Sequence, residues 1–142
     1  LALLHGGPII AVSKKIPCVA LSTPHAELCA MNYAARTAAW LRNFFEELGQ
    51  PFQKKTLLLG DNTVAVLNAT EDVVSEKNKY IQLAFHYIKE RKEFLDIHHV
   101  RTELMVSDVL TKSVSLQVYD ALVGWLTGTT KPYSFTPPRT FK

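Results

Sequence analysis

Apolar and polar positions alternate in blocks along this chain, and the period changes from block to block. Leu1–Leu4 and Ile9–Ser13 are short apolar runs around His5-Gly6-Gly7-Pro8, the pattern of a β-hairpin closed at a glycine turn. Lys14-Lys15-Ile16-Pro17 makes a second polar turn, after which Cys18–Leu21 is long enough to add a third strand to the meander. Ser22-Thr23-Pro24 then introduces a helical period. A hydroxyl residue before a proline opens a helix, with Thr23 as the expected N-cap and Pro24 in the first turn. From there Leu28, Met31, Ala35, Ala38, Ala39, Phe45 and Leu48 recur at helical spacing, until Gly49 and Pro51 end the segment.

The next block is different. Within Lys54–Gly60, Thr56-Leu57-Leu58-Leu59 is a continuous apolar run, as expected of a strand buried on both faces. Asp61-Asn62 follows at once, then a short helix over Thr63–Ala69 and a longer one over Asn78–Lys92, with Ile81, Phe85 and Ile88 on one stripe. Phe94–Val100 is a predicted strand. Met105–Leu110 and Ser115–Leu126 are predicted helices, the second with Leu116, Tyr119, Leu122 and Trp125 or Leu126 at helical intervals. Trp40 and Trp125 fall on apolar stripes and are expected in the core. Thr129–Lys142, with Pro132, Pro137 and Pro138, is a Pro-rich tail. A buried strand reached through a long crossover helix implies parallel pairing, so the fold class is α/β.

The 142 residues make one ordinary domain, expected over 1–128 ahead of the tail at 129–142. Hydrophobic residues at 47% and charged residues at 20% exclude intrinsic disorder, a collagen-like repeat and a disulfide scaffold. A formal charge of +3 suits a polyanion partner without requiring one. Cys18 and Cys29 have no second pair, so they form neither a zinc site nor a secreted framework. An intracellular, reducing location in cytoplasm or nucleus is the expectation. No run approaches the roughly 18 apolar residues of a membrane span, so no membrane partner is expected.

Three carboxylates stand out from the rest. Glu27 lies near the start of the long helix, Asp61 at the end of a fully apolar strand, and Asp108 among the apolar residues of Met105–Leu110. Each has a plain structural reading: complementing a helix dipole, capping the Thr63 helix, or facing solvent. A carboxylate in the company of Asp108 needs a partner or a metal if it is buried, because burying it bare is costly. Together, acids from a helix start, a strand end and a later helix are what a cluster for two divalent cations requires.

At these positions the sequence resembles the ribonuclease H domain of copia-type LTR-retrotransposon polyproteins. The matching stretches are Gly6-Gly7-Pro8-Ile9 with Ser13-Lys14-Lys15, Val19–Thr23 through Ala26-Glu27, Asp61–Ala65, and Asp108–Lys112. Lys77–Ile81 leading to Phe85–Ile88 is similar to the family's basic stretch ahead of a His-bearing helix. The resemblance runs from about Leu1 to Gly128 and implies a ribonuclease H-like fold with a five-stranded mixed sheet. It makes Glu27, Asp61 and Asp108 three of four catalytic, metal-binding acids, with Mg2+ or Mn2+ as cofactor and an RNA/DNA hybrid as substrate. It also implies that Lys14, Lys15, Asn62, Lys77 and Lys79 contact nucleic acid. Where the family reads Thr-Glu-Ala-Glu this chain has Thr23-Pro24-His25-Ala26-Glu27, so the earlier acid is missing while the metal-binding one stands.

The family's first strand, which is central and carries the first acid, lies upstream of the hairpin and is absent here. Two half-sheets with unpaired edges would remain. Residues upstream in a longer polyprotein, a partner chain, or the chain's own tail would have to complete the sheet. The alternative to an enzyme is an inactive, domesticated module serving as a structural or binding subunit of a larger complex. His98 and His99 are adjacent on a predicted strand and point to opposite faces, so they cannot share one metal.

Overall fold

The computed structural model describes residues 1–16, 19–20, 22–70 and 82–129, with the side chains of 82–85 excepted. These residues fall into two compact units, a central unit (Lys15–Val100) and a terminal unit (Leu1–Lys14 with Arg101–Lys142).

The terminal unit opens with the hairpin. β1 (Ala2–Leu4) pairs antiparallel with β2 (Gly7–Ile10), Leu4 opposite Gly7 and Leu3 opposite Pro8, with a bulge after Ala2. His5 and Gly6 make the turn with φ of 51° and 81°, the two positive φ values that let a two-residue loop follow the strand twist. After Val100, two 3-10 segments (Thr102–Leu104 and Val106–Leu110) lead to α4 (Leu116–Thr127). Ser115 caps α4 by accepting from the Val118 amide, and Gly128 ends it at φ 72°. Val106 and Leu122 are buried in this unit. The expected helix over Met105–Leu110 is therefore a 3-10 turn, and Leu116 and Tyr119 are exposed. Trp125, expected in the core, is half-buried.

The central unit is built on α1 (Thr23–Glu47), 25 residues long. Its N-cap is Ser22, whose hydroxyl accepts from the His25 amide at 3.3 Å, so Thr23 stands inside the helix as N1. At the other end Gly49 adopts φ 70°, and Gly49 and Gln50 donate back to Glu46 and Phe45. β3 (Thr56–Gly60) and β4 (Leu95–His99) pair in parallel, Thr56 opposite Leu95 through Gly60 opposite His99. α2 (Thr63–Thr70) and α3 (Gln82–Glu90) lie on the crossover between them. The parallel pairing expected across the long helix α1 is not made among the described residues; the parallel pair is β3 with β4, across α2 and α3.

One core holds this unit together: Leu28, Met31, Ala35 and Ala38 of α1, Leu58 of β3, Ala65, Val66 and Ala69 of α2, Ile88 of α3 and Leu95 of β4. Each large side chain among them contributes about 1.5–3 kcal/mol by leaving water. The small alanines let α1 and α2 approach closely.

Four further expectations need correction. The strands form two two-stranded sheets among the described residues, in place of one five-stranded mixed sheet. Of the expected third strand, Val19 and Ala20 are described and carry no strand pairing. β3 is buried on one face: Leu58 enters the core, whereas Leu57 is 40% exposed because the helices cover the Leu58 side. Trp40 and Leu48 are exposed, because the packed face of α1 is the one carrying Leu28, Met31, Ala35 and Ala38. No helix among the described residues is long and apolar enough to cross a membrane.

Candidate functional site

Asp61 stands at the carboxyl end of β3, and Glu27 lies one turn before Met31, which packs beside that end. β3 stops at Gly60, where an added Cβ would stand 3.1 Å from Val66 Cγ2 and 3.5 Å from Met31 Sδ. The strand end therefore packs closely against α1 and α2, and a side chain there would require Val66 to shift by a few tenths of an ångström. Met31 is one helical turn after Glu27, and Gly60 immediately precedes Asp61. That contact brings Glu27 and Asp61 to the same end of the central unit, both half-buried. Such a strand end is where α/β folds place chemistry, since successive loops emerge there from a fixed sheet.

Asn62 fixes the local geometry. Its Oδ1 accepts from the Ala65 amide at 3.0 Å and caps α2, so the cap that the sequence offered to Asp61 belongs to its neighbour. The Asp61 carbonyl lies 3.1 Å from His99 Nε2 on β4, and Val100 N donates to Gly60 O at 2.9 Å. The turn that carries Asp61 is thus tied to both strands and to α2. The paired histidines separate as expected: half-buried His98 lies 2.8 Å from Asp96 on the same strand face, and exposed His99 points the other way.

Asp108 belongs to the terminal unit. It is buried in the 3-10 turn, and the Lys112 ammonium, four residues on, lies 3.1 Å from its Oδ2. The Thr111 and Lys112 amides also donate to its carbonyl, at 3.0 and 2.8 Å. The partner that a buried carboxylate requires is therefore Lys112 in this structure. Among the described residues, no group of three or more His, Cys, Asp or Glu side chains is arranged to hold a metal ion.

The basic residues divide. Lys14 and Lys15 are exposed, and Lys77 and Lys79 lie outside the described residues. Lys92 is taken up structurally, its ammonium donating to the Thr70 carbonyl at 2.8 Å at the end of α2. Arg42 lies outside the motifs read from the sequence, yet it holds the structure together locally. Its guanidinium donates to the carbonyls of Phe52 and Lys54 and to Thr56 Oγ1, and lies over the rings of Phe52 and Phe94. It clamps the loop that feeds β3. The signal was present: Arg42 interrupts the buried stripe between Ala38 and Phe45 at helical spacing.

Comparison with known proteins gives three related results. Over 111 residues, 77% of its length, the chain is 33% identical to the retrovirus-related Pol polyprotein from transposon TNT 1-94 of Nicotiana tabacum. It is 28% and 27% identical over 110 residues to the Pol polyproteins from transposons RE2 and RE1 of Arabidopsis thaliana. The chain spans 8% of the length of each of these relatives. No protein-family model and no solved structure matches. The resemblance carried by the acid-bearing motifs thus holds at the level of the retrotransposon Pol polyprotein, of which this chain matches one short segment.

Proposed function

We propose that this chain is a ribonuclease H-like segment of a retrotransposon Pol polyprotein that cuts the RNA strand of an RNA/DNA hybrid. What supports the reading is Asp61 at a strand end beside which Met31, one turn after Glu27, packs, in a chain that matches a Pol polyprotein over 77% of its length. Glu27 and Asp61 would hold the metal, since both offer the hard carboxylate oxygens that Mg2+ and Mn2+ take. When bound, a pair of such ions supplies a readied water and a stabilised leaving oxygen.

The chain's own residues would do the rest. Asn62 and His99 hold the Asp61 turn in place, so its carboxylate needs little reorganisation. Lys14, Lys15, Lys77 and Lys79 would meet phosphates, giving affinity without sequence preference. The A-form-like minor groove and its 2′-hydroxyls would mark the strand to be cut. A fourth acid would come from a preceding segment of the polyprotein or from a partner chain that completes the sheet.

The second reading is an inactive module, and one observation favours it: Asp108 is already neutralised by Lys112, and no three-residue metal group stands among the described residues. The two separate on cleavage of a labelled RNA/DNA hybrid in Mn2+. Under the nuclease reading, Asp61→Asn lowers cleavage by about a hundredfold or more while hybrid binding persists. Cleavage indifferent to the substitution overturns that reading. A folded chain that neither cleaves nor takes up Mn2+ supports the module.

A further inference from the structure

The outward face of α1 is an unusual surface. Tyr33, Trp40, Phe44 and Leu48 are 40%, 58%, 42% and 58% exposed. On a helix of 3.6 residues per turn, Tyr33, Thr37, Trp40 and Phe44 fall within about 40° of one line, opposite the buried stripe of Leu28, Met31, Ala35 and Ala38. Their spacing of four, three and four residues is that of a helix-pairing seam. Trp40 and Phe44 already stack on each other, with ring centroids 5.6 Å apart and planes 17° from parallel. Solvent-facing aromatic clusters of this kind mark interaction surfaces more often than they mark plain surface.

The charges beside the seam say what would cover it. Arg36 and Glu47 are both exposed, and neither has an ion-pair partner among the described residues. Both flank the seam on the same side. When a helix meets a second helix running the opposite way, each flank faces its own counterpart, so Arg36 of one copy meets Glu47 of the other, and the reverse. The midpoint between Arg36 and Glu47 falls within half a residue of the midpoint between Trp40 and Phe44. The register that pairs the charges is therefore the register that lays Trp40 of each copy on Phe44 of the other. A surface whose charges and rings are complementary to themselves in one register fits a two-fold, isologous contact.

We infer that α1 is a homodimerisation helix, pairing antiparallel with α1 of a second copy through Tyr33, Trp40, Phe44 and Leu48 and closed by two reciprocal Arg36–Glu47 ion pairs. This inference does not depend on nuclease activity. The test is sedimentation equilibrium of the 142-residue chain, its Arg36→Glu and Glu47→Arg variants, and their equimolar mixture. The parent chain dimerises. Each variant alone places like charges in register twice and raises the dissociation constant about tenfold or more. The mixture restores complementary pairs and returns it to the parent value. Trp40→Ser gives an independent loss of dimer with no change of charge. A parent chain that stays monomeric, a dimer indifferent to the charge reversals, or a mixture no tighter than its components each overturns the inference. Association with other proteins alone, without self-association, does so too.

Discussion

The central and terminal units hold their candidate acids by different means. In the central unit, Asp61 rides on the end of a strand whose position is set by ten buried hydrophobic residues from five elements. Its turn is fixed by backbone bonds, by the Asn62 cap and by the close approach at Gly60. In the terminal unit, Asp108 sits in a 3-10 turn beside a helix with one fully buried leucine, Leu122, and its charge is balanced by a flexible lysine. One acid is positioned by packing and the other by an ion pair. Packing positions a group whatever its charge state. An ion pair does so only while both partners are charged.

The largest expected contrast comes from emptying each core. Ile88→Ala and Leu122→Ala both remove a side chain with 0% exposure. The first opens the layered core and should cost about 3–5 kcal/mol. The second, in a thinner unit better able to collapse, should cost about 2–3 kcal/mol. Amide hydrogen exchange reads the difference directly. Ile88→Ala should speed exchange throughout α1, β3 and β4, while Leu122→Ala should act on α4 and the 3-10 turns and leave β3 protected. Equal exchange profiles would remove the distinction between the units.

A smaller effect tests how Asp108 is held. Lys112→Met leaves a buried carboxylate without its ammonium and should destabilise by about 1–3 kcal/mol, reduced from the fully buried case because Lys112 is half-exposed. Adding Asp108→Asn to that variant should recover most of the loss. Thermal denaturation of the two single variants and the double variant measures the coupling, and additive losses would mean that the pair does not hold the turn.

The smallest effect sharpens the start of α1. Ser22→Ala should cost about 1 kcal/mol by orphaning the His25 amide, whereas Thr23→Ala, inside the helix, should change stability by a few tenths. The reverse ranking would return the cap to Thr23.

Much of the local structure was legible in the sequence because it depends on neighbours in the chain. The glycines of His5-Gly6-Gly7-Pro8 mark the hairpin, the helical spacing of Leu116, Tyr119 and Leu122 marks α4, and the apolar run at Thr56–Leu59 marks β3. The acids were legible as anomalies: a carboxylate at the end of an apolar strand, and another inside an apolar turn. Trp40 was misread because α1 carries apolar residues on more than one face, and periodicity names faces without saying which is covered. Asp61 was a fair candidate for the cap of α2, since Asp and Asn cap equally well, and only the geometry assigns the bond to Asn62.

The sequence by itself determined the mixed α/β character, the hairpin, the long helix α1 and the apolar strand β3, and the residue types available for chemistry. These follow from turn sterics and from the helix and strand periods, all of which act over short stretches of chain. Tertiary structure alone decided which face of α1 is buried, that Arg42 clamps the loop before β3, and that Glu27 and Asp61 share one end of the central unit. Each of these depends on contacts between residues far apart in sequence. The last turns on one of them, the fit of a glycine without a side chain against Met31 and Val66.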